Sequence, residues 1–237
     1  MKKAMISKPL TKSRLHEEIV GMIQKQIING DIAPGSKLPP EREMAQSFNV
    51  NRATVREALR KLENLDLVEI RHGDGLYVKN YLESGNFDLI KLALNSNVRE
   101  KTLLDILETR RYVVPQIAYL AAQRRTDADL VELASAVFDQ ETDMLSRDIR
   151  VHQLIARAAK NLVCTITLNF FNQIFRQYGH LYFDEQKNVE RSARFHREIY
   201  EAVKNQNAQE ARRIMLDVLI YAEEAVVAHL ARNDKRS

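Results

Sequence analysis

From residue 87 to its end at residue 237 the chain contains one proline, Pro115, and one glycine, Gly179. So long a stretch with almost no helix breakers and no period-two alternation excludes a sheet, and its apolar residues recur three and four apart as a helical bundle requires. The pattern predicts helices over about 87–96, 100–124, 126–145, 148–160, 162–181, 188–206 and 208–232. Pro115 falls inside the second of these, where a missing N–H predicts a kink or a new start. The single cysteine, Cys164, lies among Leu162, Val163 and Ile166 and reads as a buried core residue rather than a redox thiol.

The first 80 residues read differently. Residues 12–29 form an amphipathic helix with Leu15, Ile19, Met22, Ile23 and Ile27 on one face, ended by Gly30. After the turn-rich run Asp31–Ser36, a second helix starts at Pro39 and Pro40, where proline suits a first turn and Glu41 and Glu43 meet the positive end of the dipole. Its inward residues are Met44, Ala45 and Phe48. A short break at Phe48, Asn49 and Val50 then leads to Asn51, an N-cap for a third helix. In that helix Val55, Ala58, Leu59 and Leu62 make the inward face, while Arg52, Arg56 and Arg60 form a stripe elsewhere, successive members about 40° apart. On its own the stripe equally describes a solvated surface helix. Next, Leu67–Arg71 alternates as a strand, Leu76–Val78 offers a second, and His72, Gly73, Asp74 and Gly75 supply the turn between them. Helix, break, basic helix and hairpin, in that order, make a winged helix-turn-helix, whose basic helix fits a major groove and whose wing lies along phosphate or minor groove.

Charge follows the same division. Residues 1–80 hold 14 Lys plus Arg against 10 Asp plus Glu, and residues 81–237 hold 22 of each, so the net charge of +4 resides wholly in the segment expected to meet a polyanion. No run of 18 apolar residues occurs, and the basic start MKKAMISKPLTKSR lacks the apolar core of a signal peptide, so a cytoplasmic protein without membrane contact is expected. The length and the 45% hydrophobic content suit two modest domains. The expected boundaries are 1–80 for the winged unit, 81–86 for a hinge and 87–237 for the helical unit.

With these segments in view, residues 12–79 resemble the DNA-binding domain of the GntR family of bacterial transcription regulators. The LPPERE opening, the NVNRATVREAL core and the RHGDGLYV wing carry the resemblance. It implies DNA contacts by Arg42, Asn51, Arg52, Thr54, Arg56, His72 and Gly73. Asn51 stands where relatives often have serine or threonine, which keeps the capping chemistry and alters a neighbouring phosphate contact.

In the helical half, Asp148 and His152 are four apart, hence on one face, and His196 begins another helix. One carboxylate and two imidazoles converging in a bundle suit a divalent metal of the zinc, nickel or manganese class. The plainer alternative makes Asp148 a helix cap and the histidines hydrogen-bonded core. Residues 103–225 resemble the all-helical effector domain of the FadR subfamily, called FCD, through Glu108–Arg111, Ala118–Ala122, Asp148–His152, Ala158–Asn161 and His196–Ile199. That resemblance implies a metal held by Asp148, His152 and His196, with a carboxylate effector completing the coordination. The position that matches the last ligand is Val218, which cannot coordinate; Asp217 and Tyr221 are its nearest substitutes. Arg110 matches an arginine that clamps a carboxylate, against the alternative of a surface salt bridge with Asp105 or Glu108.

The expectation is therefore a mainly α protein, a winged helix-turn-helix followed by an all-helical bundle. It would act as a homodimer on a palindromic double-stranded operator, and a small organic acid would modulate its binding. Two other readings use the same residues: a metal-dependent hydrolase built on Asp148, His152 and His196, and a constitutive architectural DNA-binding protein in which Val218 marks a lost pocket.

Overall fold

A computed structural model describes residues 15–234, with side chains to residue 232. The chain divides into two compact units, Met1–Thr102 and Leu103–Ser237.

The first unit begins with α1 (Leu15–Ile28), whose Ile19, Val20, Ile23 and Ile27 are buried. Leu15 and Met22 lie outside this face, 45% and 47% exposed. The inward stripe is set by Ile19, Ile23 and Ile27, with Val20, Gln24 and Ile28 beside them rather than the two residues the sequence suggested. Gly30 ends the helix at φ +82°, a left-handed conformation that glycine adopts without steric cost. Then come α2 (Glu41–Ser47), entered through Pro40, and α3 (Arg52–Asn64), entered through Asn51. Strands β1 (Val68–Arg71) and β2 (Gly75–Val78) pair antiparallel in the register Val68↔Val78 and Arg71↔Gly75. The segment before α2 adds to this wing: Leu38 N–H donates to the Leu76 carbonyl at 2.8 Å, and Val78 N–H donates to Ser36 at 2.9 Å.

The expected hinge at 81–86 is structured. Asn80 caps the short helix α4 (Tyr81–Ser84), and α5 (Phe87–Ala93) packs on α1 and places Leu89 in the first unit's core. Gly85 lets this corner close, since a Cβ there would lie 2.4 Å from the Tyr81 carbonyl oxygen and 2.6 Å from Leu89. The division between units falls after Thr102, so residues 87–102 leave the helical unit to which the sequence assigned them.

Among its described residues the second unit has helices and no strand. It comprises α6 (Arg99–Arg124, which starts in the first unit), α7 (Asp127–Val137), α8 (Met144–Ala158), α9 (Leu162–Tyr178), α10 (His180–Phe183), α11 (Gln186–Lys204) and α12 (Ala208–Asp234). The helix α6 runs through Pro115 without restarting. The expected helix at 126–145 stops at Val137, because two aspartates intervene. Asp139 accepts from the Glu141 and Thr142 N–H groups at 2.9 and 3.2 Å, and Asp143 caps α8 by accepting from Ser146 N–H at 3.0 Å. Helices α7, α9 and α11 pack around α8, and Val151, Ile155, Phe195, Ile199 and Met215 fill the interior. The start of α9 faces outward instead. Leu162, Val163 and Ile166 are 74%, 70% and 58% exposed, and Cys164 is half-buried, so the expectation of a core cysteine fails.

Leu62 is fully buried where α1, α3 and the wing share one core. Leu62→Ala is expected to destabilise the protein by about 2–5 kcal/mol through lost burial and a residual cavity. Chemical denaturation checks this, and a loss below about 1 kcal/mol would contradict the packing described.

Candidate functional site

The two-faced character of α3 builds the first candidate site. Val55, Ala58, Leu59 and Leu62 are buried, and Arg52, Arg56 and Arg60 are exposed. The Asn51 side chain accepts from the Thr54 N–H at 2.9 Å and from the Thr54 hydroxyl at 3.1 Å, which satisfies a free donor of the first turn and orients Thr54. Arg56 does not extend freely: its Nε and Nη2 donate to the Glu41 carboxylate at 3.1 and 2.8 Å, tying α3 to α2. That hydrogen bond holds the Glu41 carboxyl below the ordinary carboxylate range. Arg42, Arg52 and Arg60 form no ion pair with another described residue, so their charge is presented to solvent.

Wing geometry depends on a small polar network that the sequence reading missed. Asp74 accepts from Lys37 Nζ and from the Tyr77 hydroxyl, both at 2.9 Å, and the two bonds hold its carboxyl below its usual range. Arg71 donates to Glu69 at 2.8 Å and stacks over the Tyr77 ring at 4.2 Å. Gly73 and Gly75 take φ values of +77° and +144°. At Gly75 a Cβ would also come within 2.7 Å of the Lys37 side chain. His72 and Gly73 are exposed at the tip. An open groove lies between wing and helices, lined by Pro40, Arg56, Arg60, Ile70, Arg71 and Gly73 among others. Lys37 joins Asp74 across 37 positions, so no local pattern could have announced it.

The second candidate site is buried in the helical unit. Asp148, His152 and His196 come together as the sequence suggested. The Asp148 carboxylate lies 2.9 Å from His196 Nε2 through one oxygen and 3.7 Å from His152 Nε2 through the other. All three are less than 5% exposed. Asp148 is not the cap of its helix, a role that falls to Asp143. Burial pushes its carboxyl up, but His152, the bond with His196 and the nearby Arg110 outweigh it, and the net shift is downward. Burial carries the His152 imidazole down to about 3 against the pull of Asp148, so it is neutral at physiological pH and stacks on Phe195 at 5.5 Å. At 3.7 Å its approach to Asp148 is too long for a hydrogen bond.

These residues fall short of a metal centre. Val218 is buried and apolar where a fourth ligand was expected. Asp217 is engaged at the surface with Arg213 at 2.7 Å, and the Tyr221 hydroxyl donates to Asn188 at 2.9 Å, so neither substitutes. The Nδ1 atoms of His152 and His196 have no hydrogen-bond partner, whereas metal-bound imidazoles are held by such outer bonds. Among the described residues no group of three or more His, Cys, Asp or Glu has the arrangement to hold a metal ion.

Arg110 is 4% exposed, which excludes the surface salt bridge with Glu108 or Asp105. Its neighbour Arg111 makes that contact, at 3.9 Å from Glu108 and 3.6 Å from Glu223. The Arg110 guanidinium lies over the Phe175 ring at 4.8 Å, and its Nε has no partner. Burial acts against its charge, partly offset by Asp148 and Tyr182.

Residues 15–78 match the family model for bacterial regulatory proteins of the gntR family, and residues 105–220 match the FCD domain. The chain is 28% identical to the HTH-type transcriptional regulator LutR of Bacillus subtilis, over 87% of this chain and 99% of that protein. It is 26% identical to the galactonate operon transcriptional repressor of Escherichia coli, over 86% of this chain and 93% of that one. Among solved structures, a GntR protein of Streptococcus agalactiae matches with a TM-score of 0.50 at 26% identity, covering 88% of this chain and 99% of that one. With its winged helix-turn-helix matching one family model and its helical unit the other, this chain belongs to the GntR family of bacterial transcription regulators and carries an FCD domain.

Proposed function

We propose that the protein controls transcription from the cytoplasm by binding an operator through α3 and the wing, and that an organic acid held in the FCD domain modulates this binding. The observation that carries the DNA reading is the division of α3, whose apolar face is used up in the core while its arginines project outward. In the groove, Arg52 is placed for a guanine edge or phosphate. Arg56, steadied by Glu41, and Arg42 are placed for the backbone on either side. The exposed His72 and Gly73 of the wing face phosphate or minor groove, and Asn51 fixes the angle at which Thr54 meets the DNA. Two half-sites need two recognition helices, so a homodimer on a palindromic operator follows, and the exposed apolar start of α9 is surface available to such an assembly.

Effector control rests on Arg110. A buried guanidinium with an unpartnered Nε and no carboxylate within ion-pair distance among the described residues is costly to maintain, and a carboxylate ligand relieves that cost. This favours an acid-responsive regulator over a constitutive architectural protein. The proposed function needs no metal at Asp148, His152 and His196, since among the described residues no group of three or more such donors is arranged to hold one.

Arg52→Ala and Arg56→Ala are each expected to weaken specific operator binding by about 1–3 kcal/mol without lowering the melting temperature. Wild-type affinity in both variants, measured by fluorescence anisotropy at fixed salt, would sink the recognition-helix assignment. Wild-type affinity should also fall steeply as salt rises, because phosphate contacts release counterions. Elemental analysis of protein purified without chelator and then dialysed is expected to find zinc, nickel and manganese well below one per chain. A full equivalent that disappears in His196→Ala would reverse the reading of Asp148, His152 and His196.

A further inference from the structure

The groove between the wing and the helices is less basic than its cations suggest. Lys37, Arg56, Arg60 and Arg71 line it, and so do two acids, Glu41 and Asp74. Glu41 grips Arg56 from the side, through Nε at 3.1 Å and Nη2 at 2.8 Å, which leaves Nη1 for an acceptor on DNA. Asp74 holds the Lys37 ammonium at 2.9 Å, and Glu69, on the same strand as Arg71, holds Arg71 at 2.6 Å. Of these four cations Arg60 alone makes no ion pair with a described residue.

Stability does not account for the two acids in the groove. The side chains of Arg56 and Glu41 are 53% and 30% exposed, those of Lys37 and Asp74 52% and 54%, and pairs so open to water stabilise little. Their electrostatic reach extends past their partners. The bond from Arg56 lowers the Glu41 carboxyl most, and the charges of Arg52 and Arg60 act on it in the same direction. Arg71 does the same to Asp74, after its bonds with Lys37 and Tyr77. Each acid therefore also subtracts from the field of cations that it does not touch.

We propose that Glu41 and Asp74 are specificity determinants of the DNA interface, negative charges that hold down attraction to any duplex and so widen the gap between operator and other sequences. The inference rests on the reading of α3 and the wing as that interface. Attraction to DNA of arbitrary sequence is set almost wholly by cations that meet phosphate, and a cation already facing a carboxylate gains less from a phosphate. Readout of a base edge depends instead on where N–H groups point. The grip of Glu41 on Arg56 fixes that direction and reduces the side-chain freedom lost on binding. At the operator, base contacts oppose the repulsion between these acids and the phosphates. Other DNA meets the same repulsion without them, and the difference is specificity.

Fluorescence anisotropy on the full chain tests this with two duplexes of equal length: one selected by the wild-type protein from a random pool, and the same duplex with its bases scrambled. Glu41→Gln and Asp74→Asn remove a charge and keep the shape. Each is expected to tighten binding to the scrambled duplex by about threefold or more and to steepen its salt dependence. Affinity for the selected duplex should change by less than about twofold, so the ratio between the two falls. Glu41→Asp, which keeps the charge, should bind the scrambled duplex as the wild type does. Asp127→Asn makes an equal change of net charge at a 99% exposed side chain of the helical unit and should leave both affinities unchanged. Circular dichroism melts show whether each variant is folded. A scrambled-duplex affinity that stays at the wild-type level or falls would remove the role of the acid replaced, while continued binding of the selected duplex keeps the DNA reading in place. Equal tightening on both duplexes, or tightening as large in Asp127→Asn, would reduce the acids to a general charge effect and overturn the inference. A selection that enriches no sequence would overturn the DNA reading itself, and the inference with it.

Discussion

The packing of one face of α3 against the first unit's core sets the terms for everything the winged unit can do. Val55, Ala58 and Leu62 are completely buried and Leu59 nearly so, which fixes the rotation of the helix about its own axis. Once that rotation is fixed, Arg52, Arg56 and Arg60 have nowhere to point but outward. Selection for a stable core and selection for a basic outer edge therefore act on the same thirteen-residue helix through different residues, without competing. The Glu41–Arg56 pair adds a restraint between α2 and α3. Being largely exposed, it contributes little to stability; its effect is to limit the conformations of a side chain that would otherwise sweep freely.

The helical unit follows the opposite logic, placing charge where packing would prefer none. Asp148 and Arg110 both lie within the interior and act on each other's ionisation, yet they are not in salt-bridge contact. Asp148 is settled by its bond with His196. Arg110 has an aromatic face beside it and an Nε without an acceptor. An interior designed for stability alone would replace such a group with an apolar residue of similar size. The cost of burying it is the one that the proposed carboxylate effector would relieve.

The fold was legible in the sequence wherever the signal was local. The Asn51 cap, the apolar rhythm of α3 and the Gly73–Gly75 turn each state their geometry within a few residues, and each appears as read. Boundaries set by side chains returning to the backbone were not. The run 126–145 kept a helical rhythm, and only Asp139 and Asp143, acting as turn and cap, divide it. Apolar character also misled at Leu162, Val163 and Ile166, because the sequence records that a surface avoids water without recording what covers it. At the buried site the convergence of Asp148, His152 and His196 was legible from spacing and resemblance, whereas the occupation of Asp217 by Arg213 and of Tyr221 by Asn188 depends on contacts that only the folded chain brings together. The depth of Arg110 was equally hidden, since Arg111 beside it has the same chemistry and takes the surface pairing.

The double acceptance by Asn51 has a consequence for what Thr54 can say to a base pair. Its hydroxyl donates to the Asn51 side-chain oxygen Oδ1. A phosphate oxygen, which offers only lone pairs, finds no proton there, while the Thr54 methyl group remains outside that bond. In the proposed complex, a cap chosen for helix geometry would thus leave Thr54 its methyl group to present, suited to the 5-methyl of thymine more than to the sugar-phosphate chain.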